Sequence, residues 1–406
     1  MDLCCRSTAA VDRRGRQSEG SRGLESHTVP GRRIERRWPL LRWSVSSATL
    51  GVPQAAGPIT FALVALSLTG NTSGGAAMIL AMTLAQVIGA IPITRLARNL
   101  PLATALKLLV AIRTLALISI GLFAAYEAPF AWLIVLAAAA GLVNGAAYGY
   151  LRAVLNHLAP GSRLPRALGI AATLNETTFV LAPVAASGLG TLSPILAVLA
   201  LAAVGAVPAL LVPSIGPAHG EGVHRARGSV ISPSILPWLM CAAASGATVA
   251  AIEIGAVALA LNFGYEPASA IMFTVPLCLT SVASGIWVSV RNRMATRKTV
   301  LAQLSIMTLG SALAALDQSV TTTVIATVLI GCVMAPLSTY YSLILDTLAP
   351  PQRRPEVFAL LRTANATGVI FASAVLTMVS LSMALIAVTG LMIIATTTAA
   401  IASARR

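Results

Sequence analysis

Apolar runs of about 20 residues, separated by short polar gaps, fill the chain from residue 47 onward. A helix of about 20 residues crosses the hydrocarbon core of a bilayer. Only 10% of the residues are charged and 57% are hydrophobic, whereas roughly 25% are charged in a soluble domain. The sequence therefore predicts an all-α integral membrane protein with twelve spans. These are 47–69, 74–93, 101–124, 130–155, 165–189, 193–212, 235–262, 267–290, 298–316, 320–345, 355–379 and 381–402.

The charges in the gaps predict how the helices are oriented. Gaps after even-numbered spans contain arginine, and gaps after odd-numbered spans contain only the acids Glu127, Glu266 and Asp317. Cytoplasmic loops are enriched in Lys and Arg. We therefore predict that both termini are cytoplasmic, in the cell membrane and specifically a bacterial inner membrane.

The net charge of +15 raises the question of nucleic-acid binding. Such proteins gather basic residues on one folded face, together with aromatic residues for stacking. Here the arginines lie mostly in the N-terminal 45 residues and in the short gaps. We therefore expect no nucleic-acid partner, and we interpret the arginines as topology signals.

Composition divides the chain into four segments. Residues 1–45 are rich in Arg, Ser and Gly, which predicts a disordered basic cytoplasmic tail. Residues 46–213 form an N-terminal six-helix half. Residues 214–234, the longest internal gap, form a cytoplasmic linker loop, and residues 235–406 form the C-terminal six-helix half.

The two halves repeat local motifs at corresponding places. Gly89 and Arg95 match Gly285 and Arg291, each pair six residues apart. A second motif recurs after 190 residues: Leu158-Ala159-Pro160, Arg163, Pro165, Thr173, Asn175 and Thr177 match Leu348-Ala349-Pro350, Arg353, Pro355, Thr363, Asn365 and Thr367. This indicates a duplication with both halves inserted in the same orientation. Parallel repeats of this kind place a substrate site between the halves near mid-membrane.

Twelve spans, a mid-chain loop and basic loops after spans 2 and 8 resemble the major facilitator superfamily over residues 46–403. The loop signature of that family combines glycine, an acid-arginine pair and further basic residues. Arg95 and Arg98 occupy the basic positions after span 2, with Thr94 in place of the acid. The resemblance implies the major facilitator fold, a cavity lined by spans 1, 4, 7 and 10, and secondary transport by alternating access.

Span 5 resembles the antiporter branch of the same family. Ala182-Pro183 followed by Ala186-Ser187 is similar to the proline motif of that branch. Gly141 stands in span 4 where the branch carries an arginine. The two positions thus point in different directions for a drug/proton antiporter.

Polar side chains within the apolar spans are the candidate site. A charge at mid-membrane costs about 2.5–3.5 kcal/mol on insertion scales, so Glu176 and Glu253 are candidates for handling substrate or protons. The alternatives are an interhelical hydrogen bond for Glu176 and solvent access for Glu253. Arg362 either lines the cavity and binds an anionic group, or extends to the cytoplasm. Further candidates are Gln54, Asn144, Tyr148, Asn175, Tyr340 and Asn365.

Charged residues near the cytoplasmic ends of the spans are candidates for gating. Arg95, Arg98, Arg291 and Arg293 lie in or beside the basic loops. Asp346 is expected to pair with Arg291 or Arg293, either as a gate or as a plain surface pair. Arg113 in span 3 is expected to extend to the surface or to form a structural pair.

The sequence shows no nucleophile and base pattern, no metal-ligand spacing and no phosphate-binding glycine loop. We therefore predict no enzyme activity, no cofactor and no metal. The expected protein is a monomer in the bilayer that exports a small amphipathic or hydrophobic compound, coupled to protons. Two alternatives stay open: uptake of a small metabolite by proton symport or facilitated diffusion, and a non-transporting sensor or assembly partner with the same fold.

Overall fold

The computed structural model describes residues 38–71, 73–159, 161–212, 232–316 and 318–404. Within these ranges, twelve helices are long and apolar enough to cross a membrane. In chain order they are α1 Trp38–Thr69, α2 Ser73–Leu96, α3 Leu102–Ala125, α4 Phe130–Leu158, α5 Leu164–Leu192, α6 Pro194–Leu211, α7 Leu236–Asn262, α8 Ile271–Arg291, α9 Arg297–Leu316, α10 Val320–Leu348, α11 Arg354–Met378 and α12 Leu381–Ala404. The predicted all-α class is confirmed.

The largest difference from the predicted spans is at the start of α1. This helix begins at Trp38 rather than at residue 47. Trp43 is buried, and its indole Nε1–H donates to Leu151 O at 2.7 Å, which holds the added segment against α4. The end of the predicted tail is therefore helical. The rest of that tail, 1–37, and positions 214–231 of the predicted linker lie outside the described residues.

The two six-helix halves have matching internal contacts. In the first half α1 packs against α5 and α6, α2 against α4, and α3 against α4 and α6. In the second half α7 packs against α11 and α12, α8 against α10, and α9 against α10 and α12. The fold is therefore two parallel six-helix repeats.

Small residues allow close approach of helices within each half. A Cβ on Gly141 of α4 would lie 2.0 Å from Met82 O of α2, and one on Gly89 of α2 would lie 2.2 Å from Leu142 O of α4. Such contacts are typical of helix packing in membranes. An arginine at position 141 has no room in this arrangement, so the position cannot serve as the antiporter branch uses it.

The halves meet through α2 and α4 with α11, and through α5 with α8 and α10. We call the end of the bundle where the even-numbered helices finish the basic end, because its loops carry the arginines. The other end is the opposite end. Polar side chains follow the interface between the halves from the basic end toward the middle.

Candidate functional site

A hydrogen-bonded network crosses from the N-terminal half into the C-terminal half. Asn144 Nδ2 donates to Gln54 Oε1 at 3.1 Å and to Gln86 Oε1 at 2.7 Å. Asn144 Oδ1 accepts from Arg113 Nη1 at 2.9 Å. Gln54 Oε1 also accepts from Arg362 Nη2 of α11 at 2.8 Å. The network therefore joins α1, α2, α3, α4 and α11.

Arg113 determines the direction of every bond in this network. A guanidinium only donates, whereas an amide has one accepting and one donating side. Asn144 must therefore turn Oδ1 toward Arg113 and Nδ2 toward Gln54. Gln54 then presents Oε1, which is the atom that Arg362 needs.

Arg113 itself is deeply buried, with 2% of its surface exposed. Its guanidinium also donates to Leu50 O at 2.9 Å and to Gly205 O at 2.7 Å. It does not extend to the membrane surface. Of the two predicted roles the structural one holds, with backbone carbonyls and an amide as partners. Sequence reasoning left Arg113 and Gln86 out of the site, although a glutamine inside an apolar span is a visible signal.

Arg362 lies at the interface between the halves, one of its two predicted positions. Its guanidinium carbon is 4.4 Å from the centroid of the Tyr148 ring, a cation–π distance. Arg362 Nε and Tyr148 Oη are buried and have no hydrogen-bond partner among the described residues. These two donors are unused in this conformation.

Asn175 lies next to this pair. Tyr148 Oη is 3.2 Å and Asn175 Oδ1 is 3.6 Å from the point where a Cβ on Gly51 would lie. The absence of a side chain at Gly51 therefore lets α4 and α5 bring these two polar groups together beside α1.

Each half has one carboxylate well inside a spanning helix, Glu176 in α5 and Glu253 in α7. Glu176 of α5 is buried, and the polar side chains of Asn175 and Ser281 lie near it. Glu253 of α7 is exposed and interacts electrostatically with Glu176 and with Cys278 of α8. Among the described residues, neither glutamate forms an ion pair.

Tyr340 and Asn365 make contacts within the C-terminal half. The Tyr340 ring packs edge-on against Trp238 of α7, with centroids 5.2 Å apart. Asn365 Oδ1 would lie 2.1 Å from a Cβ on Gly246 of α7, which repeats the arrangement of Asn175 at Gly51. Both of these contacts lie within the C-terminal half.

Side chains at repeat-equivalent positions pair across the halves near the basic end. Arg152 Nε donates to Ser342 Oγ at 2.6 Å, and Asn156 Nδ2 donates to Asp346 Oδ1 at 2.5 Å. Each pair is separated by 190 residues, the spacing of the sequence motif. Equivalent positions of two related halves meet where the axis between the halves passes, so these pairs lie close to that axis.

The predicted partner of Asp346 is wrong. Its carboxylate Oδ1 lies 3.1 Å from Arg354 Nε, because a short turn joins the end of α10 to the start of α11. Arg291 instead lies 4.9 Å from the ring centroid of Trp287 on its own helix. Arg293 is exposed in the loop that follows.

Arg95 and Arg98 separate at the end of α2. Arg95 Nε lies 3.3 Å from Glu356 Oε2 of α11 and so joins the halves, whereas Arg98 is exposed. Glu356, Asn156 and Ser342 were not predicted as gating residues. The 190-residue spacing could have found Asn156 and Ser342 as the equivalents of Asp346 and Arg152.

An apolar cavity of about 300 Å³ lies elsewhere, between α1, α5 and α6. Alanine, valine and leucine dominate its lining, with Thr177 and Thr178 as its polar members. None of the predicted site residues lines it. The candidate site is therefore the polar interface between the halves.

Parallel six-helix halves with a polar interface between them define a multi-pass membrane transporter. Residues 44–373 match the sequence model of the Major Facilitator Superfamily, and the chain belongs to this family. The predicted resemblance is confirmed. A search of curated proteins gave no match.

Solved structures with the same fold share little sequence with this chain. A bacterial homologue of the iron transporter ferroportin, in an outward-facing state, has a TM-score of 0.73 and 14% identity, covering 91% of this chain and 99% of that one. The human organic anion transporter MFSD10 has a TM-score of 0.67 and 14% identity, with the same coverage. The E. coli fucose:proton symporter FucP has a TM-score of 0.69 and 13% identity, covering 90% of this chain and 98% of that one. At these identities the likeness shows the fold alone.

Proposed function

We propose that this protein is a proton-coupled secondary transporter that exports a small amphipathic compound with a cationic group. The observation that carries the proposal is the pair Glu176 and Glu253. They lie in opposite halves, close enough for the charge of one to affect the other. The described ion pairs include neither of them.

A carboxylate inside a membrane protein needs a proton or a cation close by, because an unpaired charge there is costly. A proton and a cationic substrate therefore compete for these two groups. Competition for one site couples the two ligands in opposite directions, since each weakens the binding of the other. Such a site favours exchange of substrate for protons. The proline motif at Ala182-Pro183 supports export as the direction.

The contacts between the halves support alternating access. Side-chain bonds join the halves at the basic end, through Arg95–Glu356, Arg152–Ser342 and Asn156–Asp346. Parallel repeats of this kind rock around a central site. Breaking these bonds and forming others at the opposite end would expose the two glutamates to the other side.

We do not propose a metal substrate, although one structural neighbour is a homologue of an iron transporter. No group of three His, Cys, Asp or Glu side chains among the described residues could hold a metal ion. The proposal is therefore an organic substrate. We also propose that the protein functions as a monomer in the bilayer.

Flux into proteoliposomes tests the proposal. A panel of amphipathic compounds with a cationic group, including ethidium and a trimethylammonio-carboxylate, is offered to liposomes with pH gradients of either sign. Exchange predicts accumulation when the lumen is acidic. Accumulation of the compound when the external medium is acidic indicates symport. A flux that does not depend on the pH gradient indicates facilitated diffusion. A folded protein that moves no member of the panel would contradict a transport function of this kind.

The two carboxylates have a matched control in the same chain. Glu176→Gln and Glu253→Gln are expected to lose gradient-driven accumulation, because neither amide can exchange a proton. Glu266→Gln, in a loop at the opposite end, is expected to keep it. Unchanged accumulation in both glutamate variants would show that Glu176 and Glu253 do not couple transport to protons.

A further inference from the structure

We infer that the substrate is a zwitterion whose anionic group binds at Arg362 and Tyr148 and whose cationic group binds at Glu176 and Glu253. The inference rests on the proposed function, because it takes the interface between the halves as the transport site. It names a second, oppositely charged group on the substrate. A substrate with only a positive charge would make no favourable contact with the positively charged Arg362.

The Arg362 end lacks an anion. Arg362 reaches from α11 to Gln54 of α1, and its contacts are an amide oxygen and an aromatic ring. The ion pairs described for this chain leave it without a carboxylate. A half-buried guanidinium with only neutral partners favours an anionic ligand, since charge-assisted hydrogen bonds are the strong ones.

Two unused donors point to the same ligand. Arg362 Nε and Tyr148 Oη are both buried and have no partner among the described residues. A buried donor without an acceptor carries the full cost of its desolvation. A carboxylate has two oxygens and accepts from several donors at once. One carboxylate would satisfy both once the Arg362 and Tyr148 side chains move apart to admit it.

The Glu176 end lacks a cation in the same way. The side chains of Asn175 and Ser281, which lie near Glu176, are both neutral. Ser281 Oγ also lies 3.4 Å from the Met334 sulfur. Glu253 adds a second negative charge near the first. Two neighbouring carboxylates suit an ammonium group or protons.

The two ends belong to one continuous site. Tyr148 and Asn175 are neighbours at Gly51, and Asn175 precedes Glu176 in α5. Counted from the basic end at 1.5 Å per residue, Arg362 lies about 12 Å along α11, Glu176 about 18 Å along α5 and Glu253 about 25 Å along α7. The charges are thus separated by about 6 to 13 Å along the helix direction. An acid and an amine joined by several carbon atoms fit this separation.

A substrate with a single charge leaves one end uncompensated. A cation alone leaves Arg362 without an anion when the cleft closes and water is excluded. An anion alone leaves two carboxylates that only protons can neutralise. A zwitterion supplies both counterions, and its connecting carbons supply the apolar part of an amphipathic molecule.

Binding to the purified full-length protein tests the inference with three matched probes. They are trimethylammonio-hexanoate, its methyl ester and hexanoate, which carry both charges, the cation alone and the anion alone. Isothermal titration calorimetry is expected to show the zwitterion binding about tenfold or more tighter than either of the others. Arg362→Gln is expected to abolish its advantage over the ester without weakening the ester. Glu253→Gln is expected to abolish its advantage over hexanoate.

Controls separate this inference from folding and from the proposed function. Arg297→Gln, at an exposed arginine at the start of α9, is expected to change none of the three affinities, and thermal unfolding checks that each variant is folded. Equal binding of zwitterion and ester, or an advantage that survives Arg362→Gln, overturns the inference. If the ester still exchanges for protons in liposomes, the proposed function stands without it. If the zwitterion does not bind at millimolar concentration, the inference fails, and flux with organic cations decides the proposed function separately.

Discussion

At the scale of single residues, Asn144 decides whether Arg362 is held in place. Asn144→Asp replaces the donating amide with an oxygen that cannot donate to Gln54. Gln54 must then turn its amide nitrogen toward the aspartate, so Oε1 no longer faces Arg362. Meanwhile the new carboxylate pairs with Arg113, which has no carboxylate partner in the described structure. We expect a protein as stable as the original or more so, but with transport reduced about tenfold or more.

This substitution separates function from folding because its two effects have opposite signs. Thermal unfolding measures the first and flux into proteoliposomes measures the second. The companion variant is the single substitution Gln54→Glu, whose carboxylate is always an acceptor for Arg362. If the transport rate rises and falls with the thermal stability in both variants, the network has only a structural role.

The residues of the interface were only partly predictable from the sequence. Glu176, Asn175 and Arg362 were visible because polar groups inside apolar spans are costly. The direction of each side chain was not, because a helix that is apolar all round has no polar face to fix its rotation. Tyr340 therefore packs on Trp238 within its own half, whereas Tyr148 meets Arg362 from the other half. Asp346 forms an ion pair with Arg354. Residue spacing did not predict this pair, because it depends on the geometry of the turn between α10 and α11.

At the scale of helices, the crossing of α5 and α8 depends on glycine. A Cβ on Gly169 would lie 2.7 Å from Ser289 N and 3.0 Å from Gly285 O, across the two halves. Gly169→Val is expected to force the halves apart near the basic end and to reduce transport severalfold. Gly188→Val is the matched control, because a Cβ on Gly188 of the same helix meets nothing within 4 Å. Equal flux in the two variants would mean that this contact is dispensable.

Helix boundaries were predicted well where hydropathy changes sharply, and poorly at the start of α1. There Arg42 lies beside Trp43, so the local hydropathy falls although the helix continues. Trp43 is buried and bonded to Leu151 O. The helix therefore extends because of a tertiary contact with α4, a partner that local sequence cannot reveal. Elsewhere the predicted spans agree with the helices to within a few residues.

At the scale of the whole molecule, the arginines predict the orientation in the membrane. The loop with Arg98 is expected on the cytoplasmic side and the turn with Glu127 on the other side. Single cysteines at these positions, in a protein without its five native cysteines, can be labelled in intact cells with a membrane-impermeant thiol reagent. Glu127→Cys is expected to react and Arg98→Cys to react only after the membrane is opened. The reverse pattern would invert the topology and with it the direction assigned to export.

The duplication was the feature of the whole molecule that the sequence predicted most fully. Residues 190 positions apart also contact each other in the structure: Arg152 hydrogen-bonds to Ser342, and Asn156 to Asp346. What the motif could not predict is that these particular residues face each other, since that depends on how the halves are tilted. Because equivalent residues meet close to the axis between the halves, their separation reports directly on opening at the basic end.

A cross-link at this place therefore tests alternating access for the molecule as a whole. Asn156→Cys with Asp346→Cys, in a cysteine-free background, puts two thiols where an amide and a carboxylate now hydrogen-bond. Oxidation is expected to join them, to hold the halves together at the basic end and to abolish flux, and reduction is expected to restore it. Each single cysteine variant, oxidised in the same way, is expected to keep transporting. If the cross-linked protein moves substrate at the original rate, the halves do not separate at this end, and the substrate passes by some route other than rocking about the axis.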